Sequence, residues 1–392
     1  MTTTINNEHK KLNVPNLRFK EFEGEWEKCK LGNIANITGG YAFKSDTLNS
    51  IGGKYQVVKM GNLYQNQLDL HRSPSYTDTL TRKAENVILR KDDIAITLTG
   101  TNNKRDFGYT YIFNDEKNLL LNQRCGLIRA KGNPYFLSCL LKTHTFLNQF
   151  FESATGGTGN QANVSTKAME MFSVNTPSLK EQEKIGQLMA LLDERIATQN
   201  KIIEDLKKLK SAISHILFSS KGAIHLSEIA NVVMGQSPSS NAYNDQGLGM
   251  PLVQGNLDIS NGKTTPRLYT AEFNQTTEKG NIILTVRAPV GEVAKATQKV
   301  CLGRGVCAII PHEENMSDFI YQYLTFYKFM WRRYEQGSTF TSINGSDVRN
   351  IFCPKVRNVS ILTLLDIKIN IEERVVKQYQ SQKQYMLYQM FI

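Results

Sequence analysis

Polar, glycine-punctuated loops in this sequence contain clusters of arginine, lysine, asparagine and threonine. The densest is ITLTGTNNKRDFG (96–108), and in the second half LTVRAPVG and CLGRG present Arg287 and Arg304. Arginine, asparagine and glutamine form paired hydrogen bonds with base edges, whereas lysine and threonine suit phosphates. Taken singly, such residues are more often solvated loop positions, but they recur at matching places in both halves. The candidate contacts are Tyr41, Lys44, Lys59, Asn62, Thr99, Thr101, Asn102, Lys104, Arg105, Arg124, Gln236, Ser237, Gln254, Asn256, Arg287, Arg304, Ser338, Thr341 and Ser342.

No complete catalytic motif accompanies these loops. The GNPYF segment (132–136) is similar to the Asn-Pro-Pro-aromatic loop of amino-methyltransferases, but it has one proline and no glycine-rich methyl-donor loop goes with it. The NGKT segment (261–264) ends like a phosphate loop, yet Leu257 stands where the first glycine is required. The six cysteines form no C-x-x-C pair and the histidines are scattered, so no zinc pattern arises. We therefore expect no catalytic residue, metal or cofactor in the chain itself, and buried thiols in a reducing cytoplasm.

Length and charge set the class of protein. At 392 residues the chain is long enough for two or more domains. The formal charge is +11; residues 180–210 hold seven Lys/Arg and six Asp/Glu, and residues 355–392 hold six and three, which leaves +7 elsewhere. A basic surplus favours a polyanionic partner. The sequence has neither a secretory signal nor a run of about 18 apolar residues, so a soluble cytoplasmic protein is expected.

A long helix is predicted at residues 178–221. Ser178 and Glu181 have the spacing of a capping box, in which the hydroxyl accepts a backbone N–H and the carboxylate reaches back. No glycine or proline interrupts residues 187–221, and apolar residues recur at the 3,4 spacing of a coiled coil. The positions expected to face a partner helix are Ile185, Leu188, Leu192, Arg195, Gln199, Ile202 and Leu206.

The C-terminal residues supply the expected partner helix. DERIATQ (193–199) is similar to EERVVKQ (372–378), and a shift of 179 residues carries the first row onto a second. Because an arginine and a glutamine recur at the same two steps, they are expected either to fix the register of an antiparallel pair or to extend their polar ends into solvent. The second row is Leu364, Ile367, Ile371, Arg374 and Gln378.

The similarity of the two helices extends to the blocks before them. LGNIANITGG (31–40) matches LSEIANVVMG (226–235), and the VVKMGNL and KDDIAITLTG segments match PLVQGNL and KGNIILTVRAPVG. Such self-similarity indicates a duplicated chain. Short β-rich runs between glycines, together with amphipathic helices, predict α+β domains. The predicted segments are a globular block at 12–177, a helix at 178–221, a second block at 222–354 and a second helix at 355–392.

These features resemble the specificity subunit of type I restriction–modification enzymes. The resemblance is carried by the opening PNLRFKEFEGEWEKCKLGNIANITGG, by PSLKEQEKIGQLMALLDERI, by the paired GNL and AIT/ILT segments and by the half-repeat, and it covers nearly the whole chain. The second helix departs from the family pattern, since the expected P-x-x-x-E-Q is missing from NVSILTLLDIKINIEERV.

The resemblance implies a non-catalytic DNA-binding subunit with an α+β fold. Two target-recognition domains would each read half of a bipartite, asymmetric double-stranded DNA site. Two antiparallel spacer helices would relate these domains by a pseudo-two-fold axis. Two methyltransferase subunits and the restriction/translocase subunits would join the chain, and S-adenosylmethionine, ATP and Mg²⁺ would be used by those partners in adenine methylation and ATP-dependent cleavage.

Two other classes of protein remain open at the level of sequence. A coiled-coil scaffold that does not bind nucleic acid would bind its partners without the steep salt dependence of phosphate contacts. A stand-alone methyltransferase would bind the methyl donor without partner subunits.

Overall fold

The computed structural model describes residues 13–156, 161–219, 224–334, 342–355 and 358–392. The chain forms two compact units. The first comprises residues up to 198 together with 376–392, and the second comprises residues 199–375. The candidates Ser338 and Thr341 lie outside the described residues, and for Asn102 the description covers the backbone.

The first unit is built from short strands and four short helices ahead of the long helix. Its strands are β1 (Glu27–Lys30), β2 (Ala35–Gly39), β3 (Tyr55–Val58), β4 (Leu63–Tyr64), β5 (Gln67–Leu68), β6 (Tyr76–Thr77), β7 (Ile94–Thr97), β8 (Thr99–Thr101), β9 (Thr110–Ile112), β10 (Leu119–Leu121), β11 (Cys125–Ala130), β12 (Thr155–Gly156), β13 (Gln161–Asn163) and β14 (Ser173–Thr176). Its short helices are α1 (Leu31–Ile34), α2 (Pro134–Leu140), α3 (His144–Glu152) and α4 (Thr166–Glu170).

Two sheets of the first unit position its loops. An antiparallel sheet has the order β2-β11-β7-β9, and a three-stranded sheet has the order β10-β3-β6, in which β3 and β10 are parallel. Strands β7, β9 and β11 are apolar on the faces that meet the core, which accounts for their near-continuous burial. Helices α2 and α3 cover the larger sheet with Phe136, Phe146 and Phe150.

The second unit repeats this plan with its own strands and helices. Its strands are β15 (Ile224–His225), β16 (Ala230–Met234), β17 (Tyr243–Asn244), β18 (Met250–Val253), β19 (Ile259–Ser260), β20 (Lys263–Thr264), β21 (Leu268–Thr270), β22 (Thr276–Thr277), β23 (Ile282–Thr285), β24 (Val293–Lys295), β25 (Val300–Leu302), β26 (Val306–Pro311) and β27 (Phe352–Cys353). The long helix between the two sets of strands is α5 (Leu179–Phe218), and it is followed by α6 (Leu226–Ile229), α7 (Ser317–Tyr327), α8 (Gly345–Arg349) and α9 (Ser360–Gln389).

The strand pairings of the second unit correspond to those of the first. The order β16-β26-β23-β24 matches β2-β11-β7-β9, and the parallel pair of β18 with β25 matches that of β3 with β10. The fold is therefore α+β, duplicated along the chain, as the sequence predicts.

Helices α5 and α9 pack together antiparallel within each unit. In the first unit Asp193 accepts from Lys383 at 2.5 Å. In the second unit Lys210 donates to Asp366 at 2.6 Å and Lys207 donates to Glu373 at 2.8 Å. The rows that face inward are Ile185, Met189, Leu192, Ile196, Gln199, Ile203, Leu206 and Lys210 on α5 and Leu365, Ile369, Glu372, Val376, Tyr379, Lys383 and Met386 on α9, continued by Met390 just after the end of α9.

The row predicted on α5 faces α9 at every seventh residue, and only in part between. Ile185 and Leu192 are buried and Gln199 and Leu206 are half-buried, whereas Ile202 is 39% exposed. Arg195 is exposed, but its Nη1 donates to Tyr379 Oη of α9 at 3.3 Å. Aliphatic residues at both 188/189 and 202/203 allow a 3-then-4 or a 4-then-3 spacing. The structure uses the second, so Met189 and Ile203 face inward and Leu188 is half-buried at the margin.

The row predicted on α9 is wrong throughout. Leu364, Ile367 and Ile371 are 60%, 51% and 47% exposed, and Arg374 and Gln378 are also exposed. Each buried residue of α9 lies 180 residues after its counterpart on α5, not 179. A slip of one residue turns a side chain by about 100° around the helix, so the predicted row falls on the outer face.

Glu181 does not complete the predicted capping box. Ser178 Oγ does accept from the Glu181 backbone N–H, at 3.4 Å. The Glu181 carboxylate is only 1% exposed and forms a two-pronged ion pair with Arg18, at 2.7 Å to Nε and 2.8 Å to Nη2. Trp26 Nε1 also donates to it at 3.3 Å. This pair ties residues 13–26 to the first turn of α5.

Candidate nucleic-acid interface

Three loops of the first unit meet at the carboxyl ends of β3 and β10. Because these strands are parallel, the residues that follow them leave the sheet at the same edge. The Asn122 backbone N–H donates to Val58 O at 3.0 Å, Tyr41 N donates to Leu121 O at 2.9 Å, and Gln123 N donates to Tyr41 O at 2.9 Å. We call the loops at 40–44, 59–73 and 122–124 the first loop cluster.

Glycine is required where these loops touch. A Cβ on Gly40 would lie 2.1 Å from the Asn122 carbonyl oxygen, and a Cβ on Gly235 would lie 2.1 Å from the Gly303 carbonyl oxygen. Any side chain at either position would push the loops apart. The GG and MG ends of the LGNIANITGG and LSEIANVVMG segments therefore mark the same contact in both units.

The first loop cluster encloses a pocket of about 370 Å³. Three of its lining residues are the cations Lys59, Arg72 and Arg124. The Arg72 guanidinium lies 5.8 Å from the centre of the Tyr64 ring. The other lining residues are Met60, Gly61, Asn62, Ser73 and Asn122. Lys59 and Arg124 were predicted as contacts, whereas Arg72 and Asn122 were missed because no sequence motif marks them.

Asn62 holds the loop together and is not an exposed contact. It is 2% exposed, and its Oδ1 accepts from Lys59 N at 2.9 Å. Its Nδ2 donates to Asp69 O at 2.9 Å and to Arg72 O at 2.7 Å. With these polar atoms already hydrogen-bonded inside the protein, the prediction of a base contact by Asn62 is wrong.

The second predicted stretch joins the first loop cluster directly. Leu98 N donates to Arg124 O at 2.9 Å, so the strand that carries Thr99 and Thr101 begins beside the turn at 122–124. Thr99 is buried, and its Oγ1 donates to Asn163 Oδ1 at 3.0 Å. Its side chain therefore cannot contact DNA, contrary to the prediction. The half-buried Thr101 pairs with Gln161 across β8 and β13.

Lys44, Lys104 and Arg105 remain exposed. Arg105 has a positive φ of 47° at the end of the turn Asn102–Lys104, and its guanidinium lies 5.1 Å from the centre of the Phe151 ring. Lys44 follows the half-buried Tyr41, whose ring packs edge-on against Phe43 at 4.9 Å.

The second unit has a loop cluster built by the same backbone hydrogen bonds. Gln236 N donates to Leu302 O at 2.9 Å, and Gly303 N donates to Val253 O at 2.8 Å. Arg304 N donates to Ser237 Oγ at 3.0 Å. The structure thus brings together Gln236, Ser237, Gln254 and Arg304, which we call the second loop cluster.

Arg287 and Ser342 lie beside the second loop cluster. They form an isolated antiparallel bridge, flanked by a bond from Ile343 N to Val286 O at 3.0 Å. Val286 N donates to Gly305 O at 2.9 Å, as Leu98 N does to Arg124 O in the first unit. Both side chains are exposed, so this edge is continuous with Arg304.

The structural counterpart of Asn62 in the second unit is Asp258, not Asn256 as the sequence repeat predicts. Asn256, matched to Asn62 through the shared GNL, is exposed. The residue that occupies the place of Asn62 is Asp258, which is 3% exposed and accepts from Gln254 N at 2.9 Å. Asp258 also forms an ion pair with Arg267 at 3.0 Å.

Two cysteines, Cys125 and Cys307, are fully buried. Burial raises the pKa of the Cys125 and Cys307 thiols to about 12, so neither supplies a thiolate near neutral pH. The part of the chain that the structure describes has no group of three or more His, Cys, Asp or Glu side chains placed to hold a metal ion. None of its helices is long and apolar enough to cross a membrane. The exposed cations and amides of the two loop clusters can instead bind a polyanion.

Comparison with known proteins identifies the family. The type I restriction modification DNA specificity domain matches residues 23–208 and again 222–378. The MjaX type I restriction enzyme specificity subunit of Methanocaldococcus jannaschii is 26% identical over 380 residues, covering 88% of this chain and 86% of its own. The EcoAI specificity subunit of Escherichia coli is 28% identical over 215 residues, 54% of this chain and 34% of its own.

Solved structures show the same fold. The S subunit of a type I restriction-modification system from M. genitalium is 19% identical, with a TM-score of 0.64 over 97% of this chain and 99% of its own. A chain from a study of complex assembly and conformational transition of the type I R-M system is 21% identical, with a TM-score of 0.56 over 92% of this chain and 96% of its own. With the family match present in both halves, the chain belongs to the type I restriction–modification DNA specificity family, as the non-catalytic subunit that provides the DNA specificity of methylation and restriction.

Proposed function

We propose that each unit reads one half of a bipartite, asymmetric duplex DNA site through its loop cluster. The target-recognition domains would lie within residues 12–177 and 222–354, and the spacer helices are α5 and α9, which lie within the predicted segments 178–221 and 355–392. The observation that carries this proposal is the repeated construction of the two clusters. In each unit three corresponding loops, joined by two equivalent backbone hydrogen bonds, present a different set of polar side chains.

The side chains fit that role. The first loop cluster presents Tyr41, Lys59 and Arg124, whereas the second presents Gln254 and Arg304. A conserved backbone frame with different side chains suits two different half-sites, because base edges are distinguished by the donors and acceptors that face them. The frame itself positions the loops on the duplex.

The outer face of α9 supports docking of the methyltransferase subunits. Leu364, Ile367 and Ile371 form an exposed aliphatic row within the second unit, continued by Ile361 at 48% exposure. On α5 in the same unit Ile216 is 80% exposed. A contiguous apolar row of this kind on a helix marks a protein–protein contact. We propose two methyltransferase subunits and restriction/translocase subunits as partners, and these partners would use S-adenosylmethionine, ATP and Mg²⁺.

Exchange of one recognition domain tests the proposal. Residues 12–177 are replaced by the equivalent block of a relative, the chimera is assembled with its methyltransferase subunits, and methylated adenines are mapped by sequencing. Only one half-site should change, and exchange of residues 222–354 should change only the other. A single exchange that altered both half-sites would contradict independent reading by the two domains.

A further inference from the structure

The same backbone N–H is capped by a different buried group in each unit. Lys59 N donates to the Asn62 amide oxygen, and Gln254 N donates to the Asp258 carboxylate, each at 2.9 Å. Asn62 and Asp258 are 2% and 3% exposed. One loop is thus built around a neutral group and the other around an anion.

This difference determines whether a neighbouring arginine forms an ion pair with the capping residue. The Asn62 amide also has donors, which satisfy two backbone carbonyl oxygens, so it needs no cation. A carboxylate has no donor when ionised, and a buried one requires a positive partner. The Asp258 carboxylate forms an ion pair with Arg267, with 3.0 Å between Oδ1 and Nε. Among the described residues Arg72 has no carboxylate within ion-pair distance, so its charge faces the pocket of the first loop cluster.

The other cations of the pocket also differ between the units. Lys59 of the first unit corresponds to the uncharged Gln254 of the second, since each follows the parallel strand at the same place. Lys59, Arg72 and Arg124 line the pocket together, and none of the lining residues that the structure describes is acidic. In the second unit Gly305 takes the place of Arg124, the adjacent Arg304 is exposed, and Arg267 is ion-paired with Asp258.

Net charge shows the same asymmetry independently. Residues 12–177 contain 20 Lys/Arg and 15 Asp/Glu, whereas residues 222–354 contain 11 of each. The basic surplus expected on both globular blocks is therefore found on the first alone.

We propose that the pocket formed by Lys59, Arg72 and Arg124 binds a backbone phosphate of duplex DNA, and that the second unit has no equivalent phosphate site. The first half-site is then held largely by charge, and the second by hydrogen bonds to its bases. The pocket of about 370 Å³ has room for a phosphate, and its lysine and two arginines supply charged donors for the phosphate oxygens. This inference rests on the proposed function of both units as DNA readers.

The salt dependence of DNA binding tests the pocket. The assembled methyltransferase complex is titrated with its duplex site at several KCl concentrations. The variant Lys59→Gln/Arg72→Gln/Arg124→Gln should bind roughly 10- to 100-fold more weakly at low salt, and the slope of log K against log [KCl] should become shallower by about 0.9 for each phosphate lost.

A matched variant separates a phosphate site from general charge. Lys28→Gln/Lys30→Gln/Lys167→Gln removes the same three charges from the first unit. Lys28 and Lys30 lie on β1, Lys167 lies on α4, which packs against α1 and β2, and none of the three lines the pocket. This variant should keep nearly the full slope. Equal losses in the two triple variants would overturn the proposal.

Two further measurements fix the ligand and the asymmetry. A neutral methylphosphonate, placed in turn along the first half-site, should at one position weaken the unmodified complex but not the pocket variant. Asp258→Asn gives the second unit the same amide that Asn62 provides in the first unit. It should release Arg267 from its ion pair and make the slope of log K against log [KCl] steeper. If no methylphosphonate position distinguished the two complexes, or if Asp258→Asn left the slope unchanged, the inference would be wrong. If the unmodified complex showed no specific binding to duplex DNA, the proposed function itself would be refuted.

Discussion

Replacing Glu181 by glutamine should destabilise the first unit strongly. The carboxylate is 1% exposed and receives two hydrogen bonds from Arg18, whose side chain is 13% exposed. Glutamine has nearly the same shape but no charge, so it leaves a desolvated guanidinium without its counterion. Removal of one partner from a buried pair costs about 3–5 kcal/mol. Arg18 keeps its bonds to the Gly24 and Glu23 carbonyl oxygens, which places the expected loss at about 3 kcal/mol.

The chain offers a local reporter for this measurement. Its two tryptophans are Trp26, which lies against Glu181 in the first unit, and Trp331, which lies in the second. Urea unfolding is followed by the fluorescence of Trp26 in a Trp331→Phe background, with and without Glu181→Gln. Glu183→Gln, an exposed change two residues along α5, is the control and should stay within about 0.5 kcal/mol.

A double replacement separates the loss of the ion pair from the loss of a contact. Arg18→Met/Glu181→Gln removes both charges and keeps an oxygen that can accept from Trp26 Nε1, and it should recover much of the lost free energy of unfolding, because no desolvated charge remains. If Glu181→Gln cost less than about 1 kcal/mol, or if the double variant were no better than the single one, the pair would not be what ties residues 13–26 to α5.

Three other changes address recognition and assembly. Arg287→Ala or Arg304→Ala should weaken binding of the second half-site by ~1–3 kcal/mol and relax specificity there without changing the salt slope, if the contact is a paired one to guanine; unchanged affinity and methylation would make that residue a surface charge. Ile367→Asp with Ile371→Asp should leave the circular dichroism spectrum intact but abolish co-purification with the methyltransferase subunits; intact co-purification would place docking elsewhere. Residues 1–221 alone, paired with a second copy and the methyltransferase, should methylate a palindrome of the first half-site, whereas methylation only at the original asymmetric site would refute the pairing of two identical halves.

The duplicated fold could be predicted because its signals are repeated and long. Two copies of an apolar strand pattern, and a 40-residue helix without interruption, are hard to explain otherwise. The sequence predicts that the two helices exist, but it does not determine which of their residues face each other. Leu188 and Met189, like Ile202 and Ile203, are adjacent aliphatic pairs, so periodicity alone fits two neighbouring stripes. Packing decides between the stripes, and on α9 it buries Glu372 and leaves Ile371 outside.

The candidate site was predictable in position but less so in individual residues. Glycines and polar residues mark the loops that meet, since only glycine permits the contact at Gly40. Which polar side chains face solvent depends on hydrogen bonds to residues distant in sequence. Asn62 bonds to the carbonyls of Asp69 and Arg72, and Thr99 to Asn163, which removes both from the exposed surface. Arg72 is exposed by the same arrangement, and no local motif announces it.

The end of α9 belongs to the first unit, and this has a consequence for synthesis. Phe391 stacks on Phe136 at 5.3 Å and packs edge-on against Trp26 at 6.2 Å, and Leu17 N donates to Gln389 O at 2.9 Å. On the ribosome, residues 199–375 of the second unit are all made before these contacts become possible. The recognition domain that is translated first therefore completes its core last. A polypeptide that stops short of residue 391 carries an unfinished first domain, although every codon of that domain's own block has been read.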